Sequence, residues 1–78
     1  MNLRRMAHKL QTALYQRGRY IKINQMQAYS QKAKRMVTKY VVIETVPLAD
    51  GGRKNTTLLE TYQLADVVKT LAGLYGGG

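Results

Sequence analysis

Apolar residues near the start of the chain recur at the spacing of a helix. One apolar stripe runs over residues 3–14, and polar or charged residues occupy the positions between its members. Asn2 suits the position that caps the beginning of such a helix, and Gly18 lies where a glycine commonly ends one. The stripe consists of Leu3, Met6, Ala7, Leu10, Ala13 and Leu14. The pattern therefore predicts an amphipathic first helix that ends before Gly18.

The next segment, residues 20–29, begins with the alternation that is typical of a strand. Ile21 and Ile23 share one face, and a polar residue stands between them. Beyond Ile23 the alternation falters, because glutamines continue the isoleucine face. A β-bulge near Asn24 or Gln25 would restore an apolar face, so we expect one there.

Residues 35–46 are rich in β-branched and aromatic side chains and predict the longest strand. A polar connection over residues 30–34 lets this strand pair antiparallel with the first. Residues 47–55 contain an Asp-Gly dipeptide, which favours a turn, and residues 56–60 predict a short third strand. The central part of the chain thus predicts a three-stranded antiparallel sheet.

Helical spacing returns over residues 64–75. Thr61 is the expected cap of this last helix, and the glycines at 76–78 are expected to end it and to fray as a short tail. The resulting order is α-β-β-β-α. We therefore expect an α+β fold in which residues 1–75 form one domain, with two helices packed on one face of a small antiparallel sheet.

Charge is distributed unevenly along the chain. The formal net charge is +9, yet residues 1–43 hold ten lysines and arginines and no acidic residue, and the first carboxylate is Glu44. Such asymmetry favours a polyanionic partner, which is nucleic acid, an anionic membrane surface or an acidic protein. A solvated cationic surface that serves only solubility is the alternative.

Composition excludes several kinds of site. The chain has no cysteine, which rules out disulfides and thiolate metal sites, and no apolar run approaches the roughly 18 residues of a membrane span. Polar residues interrupt the first apolar stripe, which argues against a secretory signal, so we expect a cytoplasmic protein without membrane association. Because Phe and Trp are absent, we expect an aliphatic and Tyr core in which Met6, Met26 and Met36 fill gaps.

Catalytic chemistry has little support in the sequence. His8 is the single histidine and has no carboxylate near it along the chain, and the four acidic residues are scattered. Turns, strand surfaces and a helix start account for these acidic residues more simply. We therefore expect a protein that is not an enzyme, without a metal site or another cofactor.

The basic half of the chain predicts a nucleic-acid interface on the first helix and the β-hairpin. Its cations would contact phosphates, and tyrosines between them would stack on bases. The candidate phosphate contacts are Arg4, Arg5, Lys9, Arg17, Arg19, Lys22, Lys32, Lys34, Arg35 and Lys39, and the candidate stacking residues are Tyr20 and Tyr29. We expect DNA as the first candidate partner, and the pattern leaves RNA and the number of strands open.

Two resemblances extend this interpretation. The α-β-β-β-α order resembles that of the double-stranded-RNA-binding domain, although the last helix, with Lys69 and Asp66, lacks the basic cluster that this family carries there. The strings YIKINQMQAYS, RMVTKY and LADVVKTLAGLY resemble short proteins of bacterial phages and mobile elements. The second resemblance implies a nucleic-acid accessory protein, or alternatively an inhibitor or assembly protein that binds a host or defence complex.

Two further partners follow from these alternatives. An inhibitor or assembly protein would dock its basic face on an acidic protein. A homodimer that covers the open face of the sheet, or pairs its edge strands, is compatible with either function.

Overall fold

The computed structural model describes residues 2–77, and five regular elements follow one another in it. They are α1 (Leu3–Gln16), β1 (Tyr20–Ser30), β2 (Arg35–Pro47), β3 (Arg53–Thr61) and α2 (Leu64–Gly76). The strands form one open antiparallel sheet in the order β1-β2-β3. The predicted α+β class and the α-β-β-β-α order are therefore confirmed.

The first helix begins and ends where the sequence indicates. The side-chain Oδ1 of Asn2 accepts a hydrogen bond from the backbone N–H of Arg5 at 3.2 Å, which caps α1. Gly18 has a φ of +85°, a conformation that glycine adopts without steric cost, and it turns the chain from α1 into β1. Of the helices in residues 2–77, none is long and apolar enough to cross a membrane.

The β-bulge predicted near Asn24 or Gln25 is wrong, because β1 and β2 pair in unbroken register along all of β1. The register shift lies instead between β2 and β3, at Val42 and Ile43. Neither described helix covers the second half of β1, so the glutamines on its isoleucine side face solvent. Because this part of the face lies in solvent, it does not need apolar residues, and the strand pairs without a bulge.

The third strand is longer than predicted and begins at Arg53 rather than at Thr56. The loop before it is tight, since the N–H of Leu48 donates to the carbonyl of Gly52 at 2.8 Å. Gly51 has a φ of +90°, which allows this close turn. Pairing with β2 therefore starts directly after the loop, although the first residues of β3 are polar and exposed.

The N-cap residue of α2 is Gln63, so the predicted cap at Thr61 is wrong. Thr61 remains in β3 and still supports the start of the helix. Its hydroxyl accepts a hydrogen bond from the N–H of Gln63 (3.1 Å) and donates one to Oδ2 of Asp66 (2.6 Å). The helix continues through Gly76, whereas the fraying predicted at Gly78 lies outside the described residues.

Both helices pack on the same face of the sheet and enclose one small core. Its fully buried side chains are Leu14 from α1, Val42 from β2, and Val67 and Leu71 from α2. Burial of one such side chain stabilises the fold by about 1.5–3 kcal/mol. Met6 packs against this core as predicted. The opposite face of the sheet is not covered by either described helix.

The β1–β2 hairpin extends past the helices. Arg4 and Leu64, near the beginnings of α1 and α2, line a groove together with Gln25 of β1 and Tyr40 of β2. From that level the hairpin continues to its turn with mostly exposed side chains, and we refer to residues 26–39 as the arm. Its strand pairs reach roughly 16 Å beyond the helices at about 3.3 Å per residue. The whole molecule is accordingly elongated, 45 × 31 × 17 Å.

Candidate nucleic-acid interface

The shape of the arm follows from its local sequence. Residues 31–34 form the turn between Ser30 and Arg35, which lie opposite each other. The hydroxyl of Ser30 accepts a hydrogen bond from the N–H of Ala33 at 3.1 Å, and Lys34 adopts a φ of 55°. The turn is thus held by a local side-chain contact and by one residue in the left-handed region.

The cations at the tip of the arm have no carboxylate beside them. Lys32, Lys34 and Arg35 are exposed, and the two salt bridges within residues 2–77 involve other cations. One of these joins Lys39, at the base of the arm, to Glu60 of β3 at 3.8 Å. Since the Glu60 side chain is 57% exposed, this pair contributes little. The tip therefore presents three positive charges to solvent.

Arg19 has a structural role in the described fold. Its Nε and Nη2 donate to the two carboxylate oxygens of Glu44, each at 2.9 Å. These hydrogen bonds lower the pKa of Glu44 and raise the pKa of Arg19. Because the guanidinium already has a bidentate anionic partner, Arg19 is not available to a phosphate in this structure.

Arg17 connects the C-terminal end of α1 to the C-terminal end of α2. Its Nη1 donates to the carbonyl oxygen of Tyr75 at 2.9 Å, and its guanidinium carbon lies 3.8 Å from the centroid of the Tyr75 ring. Such a cation–π contact contributes about 0.5–1 kcal/mol at an exposed site. Arg17 therefore stabilises the end of the molecule that lies opposite to the arm.

The remaining candidate cations lie on different sides of the molecule. Alternation along the strands places Lys22 and Lys39 on the open face of the sheet. Arg4 lies beside the base of the arm, in the groove that it shares with β1 and β2. Arg5 and Lys9 stand four residues apart on the exposed side of α1. The structure thus brings Arg4 near the arm, whereas Arg5 and Lys9 do not line the groove at its base.

The two candidate stacking tyrosines have different surroundings. Tyr20 lies at the beginning of β1 and meets Tyr15 edge to face, with 5.2 Å between ring centroids. Tyr29 lies in the arm, opposite Met36, and is 62% exposed. Tyr29 is therefore the candidate stacking tyrosine that lies on the arm, one residue pair before the cationic turn.

Met26 and Met36 are exposed, so their predicted place in the core is wrong. The reason is that the arm lies beyond the cover of the helices. The sequence does contain a signal for this: Gln27 and Thr38 lie opposite each other on the isoleucine side of the hairpin, where Gln27 Nε2 donates to Thr38 Oγ1 at 3.2 Å. A polar pair on that side indicates a solvated surface rather than a core.

Residues 2–77 contain no group of three or more His, Cys, Asp or Glu side chains that could hold a metal ion. His8 lines a shallow groove of about 310 Å³ between α1 and β1, and none of the other lining residues is acidic. Asp50 accepts a hydrogen bond from the N–H of Gly52 at 2.8 Å and so stabilises its own loop.

No family model, curated protein or solved structure matches the chain. The geometry and the charge of the arm are therefore the observations that bear most directly on function.

Proposed function

We propose that this protein is a nucleic-acid-binding accessory protein of the cytoplasm, that duplex DNA is its partner, and that it is not an enzyme. The observation that carries the proposal is the arm, a two-stranded ribbon that projects past the helices and ends in three exposed cations. Two-stranded ribbons are among the elements that enter a groove of DNA.

Phosphate contacts supply the affinity in this proposal. Lys32, Lys34 and Arg35 reach the backbone from the tip of the arm, and Arg4 adds a charge at its base. Each contact releases counterions from the DNA, so binding weakens as salt is added. The first 43 residues contain no acidic residue. No carboxylate on β1 or in the turn therefore repels the phosphates.

Two variants of equal charge test the proposal. The tip variant combines Lys32→Gln, Lys34→Gln and Arg35→Gln, and the matched variant combines Arg53→Gln, Lys54→Gln and Lys69→Gln outside the arm. We expect the tip variant to bind a labelled duplex of about 20 base pairs at least tenfold more weakly, because phosphate contacts are lost. The matched variant should lose much less affinity, although it removes the same three charges.

Fluorescence anisotropy at low salt measures both affinities, and far-UV circular dichroism checks that both variants are folded. Equal losses in the two variants would show that net charge alone attracts the DNA, which would contradict a role for the arm. A tip variant that binds as well as the unchanged protein would overturn the proposal.

A protein partner is the second candidate, and the exposed apolar side chains of Tyr29 and Met36 are the observation that favours it. The protein would then act as an inhibitor or assembly factor that docks on an acidic protein surface. Its net charge of +9 disfavours direct competition for a site that binds nucleic acid, which calls for acidic mimicry. A pull-down from nuclease-treated lysate separates the candidates, because a stoichiometric protein that remains bound without nucleic acid favours the second one.

A further inference from the structure

Tyr29 and Met36 form an exposed apolar pair near the end of the arm. They lie opposite each other, one residue pair before Ser30 and Arg35 close the turn. Their side chains are 62% and 57% exposed, and neither packs against the core. Single exposed apolar residues are ordinary, but two large ones side by side on a projecting ribbon indicate a contact surface.

The face that carries this pair has no charged side chain of its own within the arm. Gln27 and Thr38 lie on the same face as Tyr29 and Met36, because residues two apart in a strand share a face. Lys32 and Lys34 stand beyond it in the turn, and Arg35 lies on the other face. An apolar and amide surface is thus bordered by positive charge on its outer side.

We propose that this face enters the minor groove of duplex DNA and that Tyr29 and Met36 insert as a wedge between two adjacent base pairs. The inference rests on the proposed DNA binding and adds the groove and a deformation of the DNA. Apolar side chains that insert from the minor groove partly unstack a base step and kink the duplex. The amide of Gln27 suits the acceptor atoms that A·T pairs present in that groove.

The surrounding charge favours DNA over a second copy of this chain as the occupant of the surface. Two arms packed face to face would bring their basic tips together, in a protein whose net charge is already +9. The DNA minor groove instead offers a stacked apolar interior between two rows of phosphates. An apolar face bordered by cations is complementary to that arrangement.

Energy transfer between dyes at the two ends of a duplex of about 30 base pairs measures the bend. The duplex carries one central TA step, because pyrimidine–purine steps unstack easily. We expect transfer to rise when the unchanged protein saturates the duplex. With Tyr29→Thr and Met36→Thr combined, we expect the duplex to be bound through the cations but transfer to stay at the value of free DNA. Threonine is chosen because it favours strands and so preserves the arm.

Met26→Thr is the matched control, since Met26 is 45% exposed on the opposite face of the same arm. This variant should bend the duplex as the unchanged protein does. Equal loss of bending in Met26→Thr and in the double variant would contradict the wedge, because the face would then not matter.

The outcomes separate the wedge from the proposed function. DNA that is bound by the unchanged protein but stays straight overturns the wedge and leaves DNA binding intact. Full bending by the double variant also overturns it. A protein that binds no duplex at low salt overturns the proposed function, and the wedge with it.

Discussion

Lys34 combines a positive charge with a backbone conformation that most residues avoid. Its φ of 55° is the one positive φ among the non-glycine residues of the described range 2–77. The left-handed conformation costs a residue with a Cβ about 1–2 kcal/mol. Glycine would fit this place in the turn but would supply no charge, so we attribute the lysine to the phosphate contact proposed for the tip of the arm.

Lys34→Gly should therefore separate stability from binding. We expect the free energy of unfolding to stay level or to rise by up to about 1 kcal/mol, because glycine adopts this φ without strain. Affinity for duplex DNA should fall, since a phosphate contact is lost. Urea denaturation and fluorescence anisotropy measure the two quantities.

Lys32→Gly is the matched control for this prediction. It removes the same charge from a residue whose φ is not positive, so it should lower both stability and affinity. If both glycine variants lost the same amount of stability, the conformation of Lys34 would not be strained and the explanation would be wrong.

Arg19 and Glu44 give the fold a contribution that depends on pH. The hydrogen bonds from Arg19 lower the pKa of Glu44 in the folded state below its value in the unfolded chain. The pair therefore stabilises the fold fully above the unfolded pKa of the carboxyl group. That contribution is lost as the pH falls through the lower, folded pKa.

Glu44→Gln should lower the free energy of unfolding at neutral pH by about 1 kcal/mol, a modest value because the Arg19 side chain is 35% exposed. The difference between the variant and the unchanged protein should shrink in acid, as the pH falls below the unfolded pKa of the carboxyl group and the carboxylate of the unchanged protein becomes protonated. Urea denaturation at a series of pH values measures this difference in the free energy of unfolding. A difference that did not change with pH would show that the carboxylate charge is not its source.

The sequence alone could not reveal the ion pair of Arg19 with Glu44 or the contact of Arg17 with Tyr75. Arg19 and Glu44 are 25 residues apart, and Arg17 and Tyr75 are 58 residues apart. Both arginines looked like phosphate contacts because no acidic residue stands near them along the chain. Only the pairing of β1 with β2, and of the two helix ends, brings their partners to them. Local charge patterns show where cations are concentrated, but not which of them the fold itself uses.

At the scale of elements, the arm is the part of the molecule that the hydrophobic pattern described incompletely. The pattern predicted the two strands and their turn correctly, because β-branched residues and polar turn residues mark them locally. The loss of alternation after Ile23 favours a bulge, but in the structure it marks the place where the helices stop covering the sheet. A strand buried on neither face has no need for apolar residues at every second position.

Shortening the arm tests whether its reach matters. Removal of residues 27–30 and 35–38 joins the existing turn to Met26 and Lys39, which lie opposite each other, and preserves the faces of both strands because the shift is even. Stability should fall only slightly, since none of the removed residues belongs to the core, although the hydrogen bond that Ser30 accepts from Ala33 in the turn is lost. Affinity for duplex DNA should fall at least about tenfold, although Lys32 and Lys34 remain.

Full-length Arg35→Gln is the control, because the shortened protein also lacks Arg35. Thermal denaturation and fluorescence anisotropy compare the two proteins. If the shortened protein bound duplex DNA as tightly as the control, projection beyond the helices would have no part in binding.

At the scale of the whole molecule, the cations that crowd the first 43 residues do not form one basic face, because the fold distributes them over several sides. Of the ten cations in residues 1–43, Arg17 and Arg19 are engaged within the fold, and Arg5 and Lys9 lie on the exposed side of α1. Of the six cations that remain, Lys22 lies on the open face of the sheet, and the others lie on the arm or at its base, namely Arg4, Lys32, Lys34, Arg35 and Lys39. Net charge thus predicts a polyanionic partner, whereas the fold determines which cations a partner at the arm would meet.

The most direct test of the central claim, that the arm binds duplex DNA through phosphate contacts, is a salt series. Anisotropy titrations of a labelled duplex are run from low to high salt, with single-stranded DNA and duplex RNA of the same sequence alongside. About four phosphate contacts predict that the logarithm of the association constant falls with the logarithm of salt at a slope of roughly −3 to −4, and that duplex DNA binds most tightly. Absence of duplex binding at low salt, or binding that salt leaves unchanged, would contradict the claim.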